Sequence, residues 1–321
     1  MQAAVRFDAY FIHVPFPGIV GEAVILFARF AVPVFFMTSG FFSYQNDHKT
    51  ILRKIRKLFY ILVFSSCLYN VCNIFQAYIL EGVGAVTDYL LSFTDIKNWL
   101  LLVVFNVPFS ATRLWFLLAL IYAYFMQILF DKIKMKSKGI LALSVSGIIL
   151  HFIIGSIMPH FGIGIEEYMC RNFMLLGYPF FGFGFLIRQN QTMFRKYSNT
   201  ILFVLFTLGI LLSQIPLLYE SVSVISVGTL LIVFSLFGFA LENSEIQYPK
   251  WVLKLCNCGL GIYILHKPVA LVLQKVFSIL SRADNIVTMI LFPISVCIVS
   301  AIGTMFLLQL SNKQPKKNKG R

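Results

Sequence analysis

Long apolar segments recur along the chain and constrain its fold more than any single motif does. A helix needs about 20 predominantly apolar residues to cross the hydrocarbon core of a bilayer. In lipid, every backbone N–H and C=O must find a partner inside the protein, and a helix provides these partners within one segment. The sequence therefore predicts an all-α polytopic transmembrane helix bundle of about nine spans, at residues 21–44, 57–80, 113–131, 138–158, 168–188, 199–219, 222–241, 257–277 and 286–309.

The composition agrees with a protein whose solvent is mostly lipid. Of the 321 residues, 59% are hydrophobic and only 12% are charged, and the mean hydropathy is +0.82. The net charge of +14 would suggest nucleic acid binding in a soluble domain. Here the basic residues lie in short loops between apolar segments, which is how helical membrane proteins are oriented. We therefore expect the lipid bilayer as a partner and no nucleic acid.

The loops between the apolar segments alternate in charge. One set is basic, around residues 49–57, 132–138, 188–196, 250–254 and 313–321, and the other set carries most of the acidic residues. Basic loops stay on the cytoplasmic side of a membrane. The pattern predicts a multi-pass membrane protein with a cytoplasmic C-terminus. It also predicts an exterior or interfacial lead-in at 1–20, one transmembrane domain at 21–310 and a basic tail at 311–321.

Two regions do not fit a simple span. The lead-in interrupts its apolar residues with Arg6, Asp8 and His13, which indicates an interfacial position. The longest exterior connection, residues 81–112, contains an apolar run at 99–105 that is too short to cross the bilayer. We expect that run to form an interfacial or re-entrant element.

Metal binding is not indicated by the polar residues. The five histidines and 13 acidic residues show no ligand spacing. The six cysteines lie mainly within apolar segments, where they are typical small core residues.

Four motifs follow one another in an order typical of one family. They are RFAVPVFFMTSGFF at 29–42, RKIR at 53–56, LWFLLAL at 114–120 and GIYILHKP at 261–268. On these motifs the chain resembles the acyltransferase-3 family of integral-membrane acyltransferases, over nearly its whole length. The first motif, with the lead-in HVPFPG at 13–18, is most similar to the membrane half of the serine-racemase resistance proteins.

The resemblance implies an enzyme that transfers groups other than aminoacyl groups and lies in the bacterial cytoplasmic (plasma) membrane. Members move an acyl group, here expected to be acetyl from acetyl-CoA, from cytoplasmic acyl-CoA to a hydroxyl of an exterior sugar or small envelope acceptor. They have about ten helices, and the first carries a catalytic histidine upstream of the motif at 29–42. That helix is not recognisable here. We therefore expect a fragment, the product of a late start codon, or a relative that has lost activity.

The identity of the catalytic base is therefore left open by the sequence. His13 falls where the loop after the family's first helix would lie. His266 and Tyr263 belong to the fourth motif, and their spacing of three places them on one side of a helix. These three residues are the candidates, whereas His151 in the middle of a span is expected to be a hydrogen-bonded packing residue.

Other charged residues are candidates for binding the donor and lining a cavity. Arg53 and Arg56 are three apart, so they share a helical face and can grip one phosphate group, although basic residues there also serve as topology anchors. Glu22 and Arg29, seven apart, suit a cavity lining or a structural ion pair. Arg171 suits an anionic acceptor or interfacial snorkelling. Trp115 is expected to be a cavity-lining or packing anchor near the interface.

Two other classes of function remain open on the sequence alone. A polar-lined bundle also suits a transporter or flippase of an envelope precursor. An inactive relative acting as a membrane-embedded sensor or partner is the third alternative.

Overall fold

A computed structural model describes residues 26–108, 114–194, 198–215, 223–280 and 286–313. Within these ranges the chain is helical and contains no strand, so the predicted all-α class is confirmed. His13, Glu22, the lead-in at 1–20 and the tail from 314 lie outside the described residues. The main helices are α1 (Ala31–Phe41), α2 (His48–Glu81), α3 (Val83–Leu91), α4 (Ile96–Phe105), α5 (Trp115–Lys132), α6 (Ser137–Phe152), α7 (Tyr178–Gln189), α8 (Asn199–Ser213), α9 (Val227–Glu242), α10 (Lys250–Asn257), α11 (Gly259–Leu280) and α12 (Ile286–Lys313).

Several short elements join or extend these helices. A 3₁₀ turn, Ser92–Thr94, links α3 to α4. The π-helical turn Ile153–Ile157 and the short helix Met158–His160 continue α6. A second π-helical turn, Phe173–Gly177, leads into α7, and one-turn helices lie at Glu167–Cys170 and Gln191–Phe194.

Four helical stretches of the described residues are long and apolar enough to cross a membrane: His48–Ile79, Trp115–Lys132, Ser137–His160 and Leu291–Gln309. A fifth candidate is the bent pair Lys250–Asn257 and Gly259–Gln274, whose axes differ by 59°. Four further helices are apolar but shorter: Leu26–Phe41, Ile96–Phe105, Asn199–Ser213 and Val227–Glu242. The chain is thus a multi-pass membrane protein, and the count of nine spans stays a prediction.

Helix α2 begins well before its apolar part. We predicted a span from residue 57, preceded by a basic loop, whereas the helix starts at His48 and includes the whole basic motif. Asp47 caps it, because its carboxylate accepts a hydrogen bond from the Thr50 N–H at 3.2 Å. The first turns of α2 therefore carry charges on an ordered helical surface.

The predicted span at 168–188 is not one continuous helix. The one-turn helix ends at Cys170, and the chain turns at Arg171 and Asn172 before the second π-helical turn begins. The Asn172 side chain accepts hydrogen bonds from the Met174 and Leu175 N–H groups, which caps the new helical segment. An amide side chain that can cap a helix thus starts a second helical segment inside an apolar stretch.

Glycines lie where several of the described helices pack closely against each other. A Cβ atom built at Gly40 of α1 would lie 1.9 Å from the Phe181 carbonyl oxygen, and one at Gly184 of α7 would lie 1.8 Å from that of Met37. Helices α8 and α9 approach in the same way, because a Cβ at Gly228 would lie 2.1 Å from the Ser213 nitrogen. Small residues allow such close backbone approach in membrane bundles.

Three of the basic segments, around residues 48–57, 132–138 and 188–189, lie together at one end of the bundle, which we call the basic end. Here His48 of α2 lies 3.8 Å from Asp131 of α5, and the Ser137 hydroxyl donates to the Gln189 side chain at 2.8 Å. Arg188 lies over the ring of Phe41. The opposite end carries the junctions around Asn106, Arg171 and Ser223.

Candidate functional site

A groove runs between α2 and α5 from the basic end into the apolar part of the bundle. Its cavity volume is about 800 Å³. Helix α2 contributes one wall and α5 the other, and the two helices pack side by side. The lining residues are Lys49, Leu52, Arg53, Ile55, Arg56, Phe59, Leu62, Leu118, Ile121, Tyr122 and Phe125.

Three cations line the groove at the basic end. Lys49, Arg53 and Arg56 follow one another at intervals of four and three residues, which places them on one face of α2. All three side chains are exposed. They lie in the first turns of a 34-residue helix, whose N-terminus itself favours anions. The predicted pair Arg53 and Arg56 is therefore brought together, with Lys49 as a third cation that the motif did not indicate.

Hydrogen bonds with Thr50 hold both Arg53 and Asp47 at the start of α2. The Arg53 guanidinium donates to the Thr50 hydroxyl at 2.8 Å, which limits its range of positions. Hydrogen bonds from the side chain and backbone of Thr50 hold the pKa of Asp47 below its usual value. Asp47 thus caps the helix as a carboxylate without lining the groove.

Lys54 of the RKIR motif at 53–56 and the neighbouring Lys57 do not line this groove. The Lys54 ammonium donates to the Phe42 carbonyl oxygen at 3.0 Å and lies 5.6 Å from the centre of the Tyr124 ring. Lys57 is exposed and is not among the residues that line the groove. The motif is thus divided between anchoring α1 to α2 and presenting charge to the groove.

The fourth motif lies in α11, beside the far half of α2. Tyr263 packs edge-on against Phe116, with ring centres 5.5 Å apart, and Lys267 lies over the Tyr69 ring at 5.2 Å. His266 Nδ1 donates a hydrogen bond to the Tyr263 carbonyl oxygen. Because a carbonyl only accepts, this bond assigns the proton to Nδ1 and makes Nε2 the basic nitrogen of the neutral ring.

Trp115 and Arg171 meet at the end of the bundle opposite the basic end. The Arg171 guanidinium lies 5.7 Å from the centre of the Trp115 ring and pairs with Glu167 at 3.1 Å. Trp115 itself is buried in the core and its ring packs against that of Phe36. It lies outside the groove lining, as does Arg171.

A buried polar cluster joins three distant parts of the chain, and sequence reasoning missed it. Arg29 donates to the Ser223 carbonyl oxygen at 2.7 Å, and His151 Nε2 lies 3.0 Å from the Ser223 hydroxyl. A Cβ at Gly155, in the π-helical turn after His151, would touch both Ser223 and the Cys170 sulfur. Arg29 and Ser223 are 194 positions apart, so no local pattern could have paired them. Glu22, the partner proposed for Arg29, lies outside the described residues.

The described residues thus form a helical membrane bundle in which cations cluster at the mouth of an apolar groove. Such a groove suits an anionic, amphipathic ligand. The sequence comparison then gives the family. The acyltransferase domain of the acyltransferase-3 family matches residues 4–308, so the chain belongs to that family and the predicted resemblance is confirmed. It is a membrane acyltransferase in the general sense that the family defines. Searches of curated proteins and of solved structures returned no significant match.

Proposed function

We propose that this protein is a membrane O-acyltransferase whose donor is cytoplasmic acyl-CoA. The expected acyl group is acetyl, and the acceptor is a hydroxyl of an exterior sugar or another small envelope molecule. The observation that carries the proposal is the groove between α2 and α5, where Lys49, Arg53 and Arg56 stand at the mouth of an apolar passage. Arginine forks bind phosphate groups in a bidentate manner, and CoA presents several phosphates.

Helix α2 connects the groove to the fourth motif. Leu62 lines the groove, and Tyr69, seven residues later, lies on the same face of the helix and contacts Lys267 of α11. Arg53 and Tyr69 are 16 residues apart, which corresponds to about 24 Å along the axis. A long, thin thioester arm is the part of acyl-CoA that suits such a passage. We propose that it runs along this face toward α11.

His266 is the base that we propose for activating the acceptor hydroxyl. Its hydrogen bond to the Tyr263 carbonyl orients the ring and leaves Nε2 as the nitrogen that takes a proton. In the reaction, the acceptor oxygen would bond to the acyl carbon while the carbon–sulfur bond breaks. The acceptor proton would pass to Nε2 and from there to the CoA thiolate.

The overall proposal is tested by filling the groove. The purified protein in proteoliposomes is expected to release free CoA from acetyl-CoA, by hydrolysis or by transfer to an added acceptor. Leu118 is half-buried and lines the groove on α5, so Leu118→Trp is expected to reduce CoA release at least about tenfold by occupying the passage. Thiol detection of CoA measures the rate.

Leu129→Trp is the matched control, since Leu129 lies on the same helix, is exposed and does not line the groove. It should release CoA at the rate of the unaltered protein. Equal unfolding midpoints for the two variants would show that both are folded. Absence of CoA release and of acyl-CoA binding in the unaltered protein would refute the donor assignment.

The role of His266 is tested separately from donor binding. His266→Gln is expected to lower the rate of acyl transfer about 10²- to 10⁴-fold, the usual contribution of a general base. Its acetyl-CoA affinity should be unchanged, because the cations of the groove lie on α2. Equilibrium binding and single-turnover transfer measure the two quantities.

A change of affinity equal to the change of rate would assign His266 a structural role. His151→Gln serves as a comparison, because His151 is fully buried and hydrogen-bonded to Ser223. We expect that variant to lower the unfolding midpoint as well as the activity, whereas His266→Gln should leave the midpoint in place.

A further inference from the structure

The apolar part of the groove provides few partners for a polar ligand. Among the described residues that line the groove, Tyr122 is the one polar side chain besides Lys49, Arg53 and Arg56; the others are Leu, Ile and Phe. A polar group buried without a hydrogen bond is destabilised relative to water, whereas a hydrocarbon chain is not. The lining therefore suits a ligand that combines a phosphate group with an alkyl chain.

The groove is also open toward the side of the bundle. Leu52, Phe59 and Phe125, which line it, are 51%, 53% and 50% exposed. In a membrane-spanning pair of helices, such exposed apolar side chains face lipid. A lipid chain can therefore enter from the bilayer without passing through the protein interior.

The three cations lie at the depth of lipid headgroups. Lys49, Arg53 and Arg56 occupy the last charged turns of α2 before its apolar part, and the lipid-facing residue Phe59 follows within one turn. This is the boundary between water and hydrocarbon for a helix of this composition. Basic pockets between helices at this depth bind anionic headgroups.

We propose that the groove between α2 and α5 binds an anionic phospholipid of the leaflet at the basic end. The lipid phosphate contacts Lys49, Arg53 and Arg56, and one acyl chain lies along Phe59, Leu118 and Phe125. Since the same cations would hold the CoA phosphates, the bound lipid competes with acyl-CoA, and the anionic lipid content of the membrane controls donor binding. The competition rests on the proposed function, whereas the lipid site stands without it.

The lipid site is tested by native mass spectrometry of the detergent-purified full chain. Phosphatidylglycerol is expected to remain bound at one copy at concentrations at least tenfold below those needed for phosphatidylcholine. Arg53→Ala/Arg56→Ala should remove this preference. Lys57→Ala/Lys138→Ala, which removes two exposed cations outside the groove lining, should keep it.

Two further probes distinguish binding of the lipid's acyl chain from binding of its phosphate headgroup. Glycerol phosphate and inorganic phosphate should not displace phosphatidylglycerol, because neither fills the apolar wall. Leu118→Trp should weaken phosphatidylglycerol retention while Leu129→Trp does not. Equal retention of both lipids by the unaltered protein, or an unchanged preference in the arginine variant, would overturn the proposal.

Competition is measured in nanodiscs with increasing fractions of phosphatidylglycerol. The apparent Kd for acetyl-CoA should rise severalfold between discs without this lipid and discs with one third of it, and less in the arginine variant. A Kd that is independent of lipid would overturn the competition. If acetyl-CoA does not bind in any disc, the donor assignment fails, and the retention measurement decides the lipid site by itself.

Discussion

Replacing Arg53 and Arg56 together by alanine is expected to weaken acetyl-CoA binding on the order of 10- to 100-fold and to reduce acyl transfer in parallel. Both guanidinium groups line the mouth of the groove, on one face of the first turns of α2. Their exposure to solvent screens the interaction and sets the upper limit of the effect. Equilibrium dialysis with labelled acetyl-CoA at low ionic strength measures the affinity.

The matched control for this variant removes two positive charges from the same end of the bundle. Lys57→Ala/Lys138→Ala lies outside the groove lining and should change the affinity less than twofold if the phosphate contacts are local. The affinity of the unaltered protein should also fall with added salt, and more steeply than that of the arginine variant. An arginine variant that binds acetyl-CoA as tightly as the lysine control would show that the basic motif only orients the helix.

The basic motif shows what the sequence could predict about the site. The spacing of Arg53 and Arg56 placed them on one helical face, and the structure has them lining the same groove. The predicted start of their helix, at residue 57, was wrong, since α2 begins at His48. Hydropathy detects the apolar part of α2 and not the charged turns that precede it. Those turns are ordered by the Asp47 cap and by Lys54 bound to the Phe42 carbonyl.

The opposite wall of the groove could not have been predicted. Leu118, Ile121 and Phe125 lie in a helix that is mostly apolar on every face. Its lipid-facing and its buried residues are predominantly hydrophobic, although the buried Gln127 is polar. Periodicity therefore carries no information about which face of α5 meets α2. The same limit applies to the buried cluster of Arg29, His151 and Ser223, whose contacts join distant parts of the chain.

Glycine-to-alanine replacement at the crossing of α1 and α7 is expected to be the most destabilising conservative change in the described part of the bundle. A Cβ at Gly184 would lie 1.8 Å from the Met37 carbonyl oxygen, and one at Gly40 would lie 1.9 Å from that of Phe181. Both clashes are with backbone, so the helices must separate and their packed faces lose contact. Overpacking usually costs about 1–3 kcal/mol, and a clash with backbone should reach or exceed the upper end of that range.

Gly84→Ala is the control, because Gly84 lies within helix α3 and a Cβ there meets nothing within 4 Å. In an open helical position, alanine should be neutral or stabilise by about 0.5–1 kcal/mol. Thermal unfolding in detergent, followed by size-exclusion fluorescence, should show a marked loss of folded protein for Gly40→Ala and Gly184→Ala but not for Gly84→Ala. The pair Gly40 and Gly184 is part of the same contact, so the double variant should lose less than the sum of the two single losses. Equal midpoints for all three single variants would mean that α1 and α7 do not cross at these glycines. The packing of the first motif, residues 29–42, against α7 would then also be wrong.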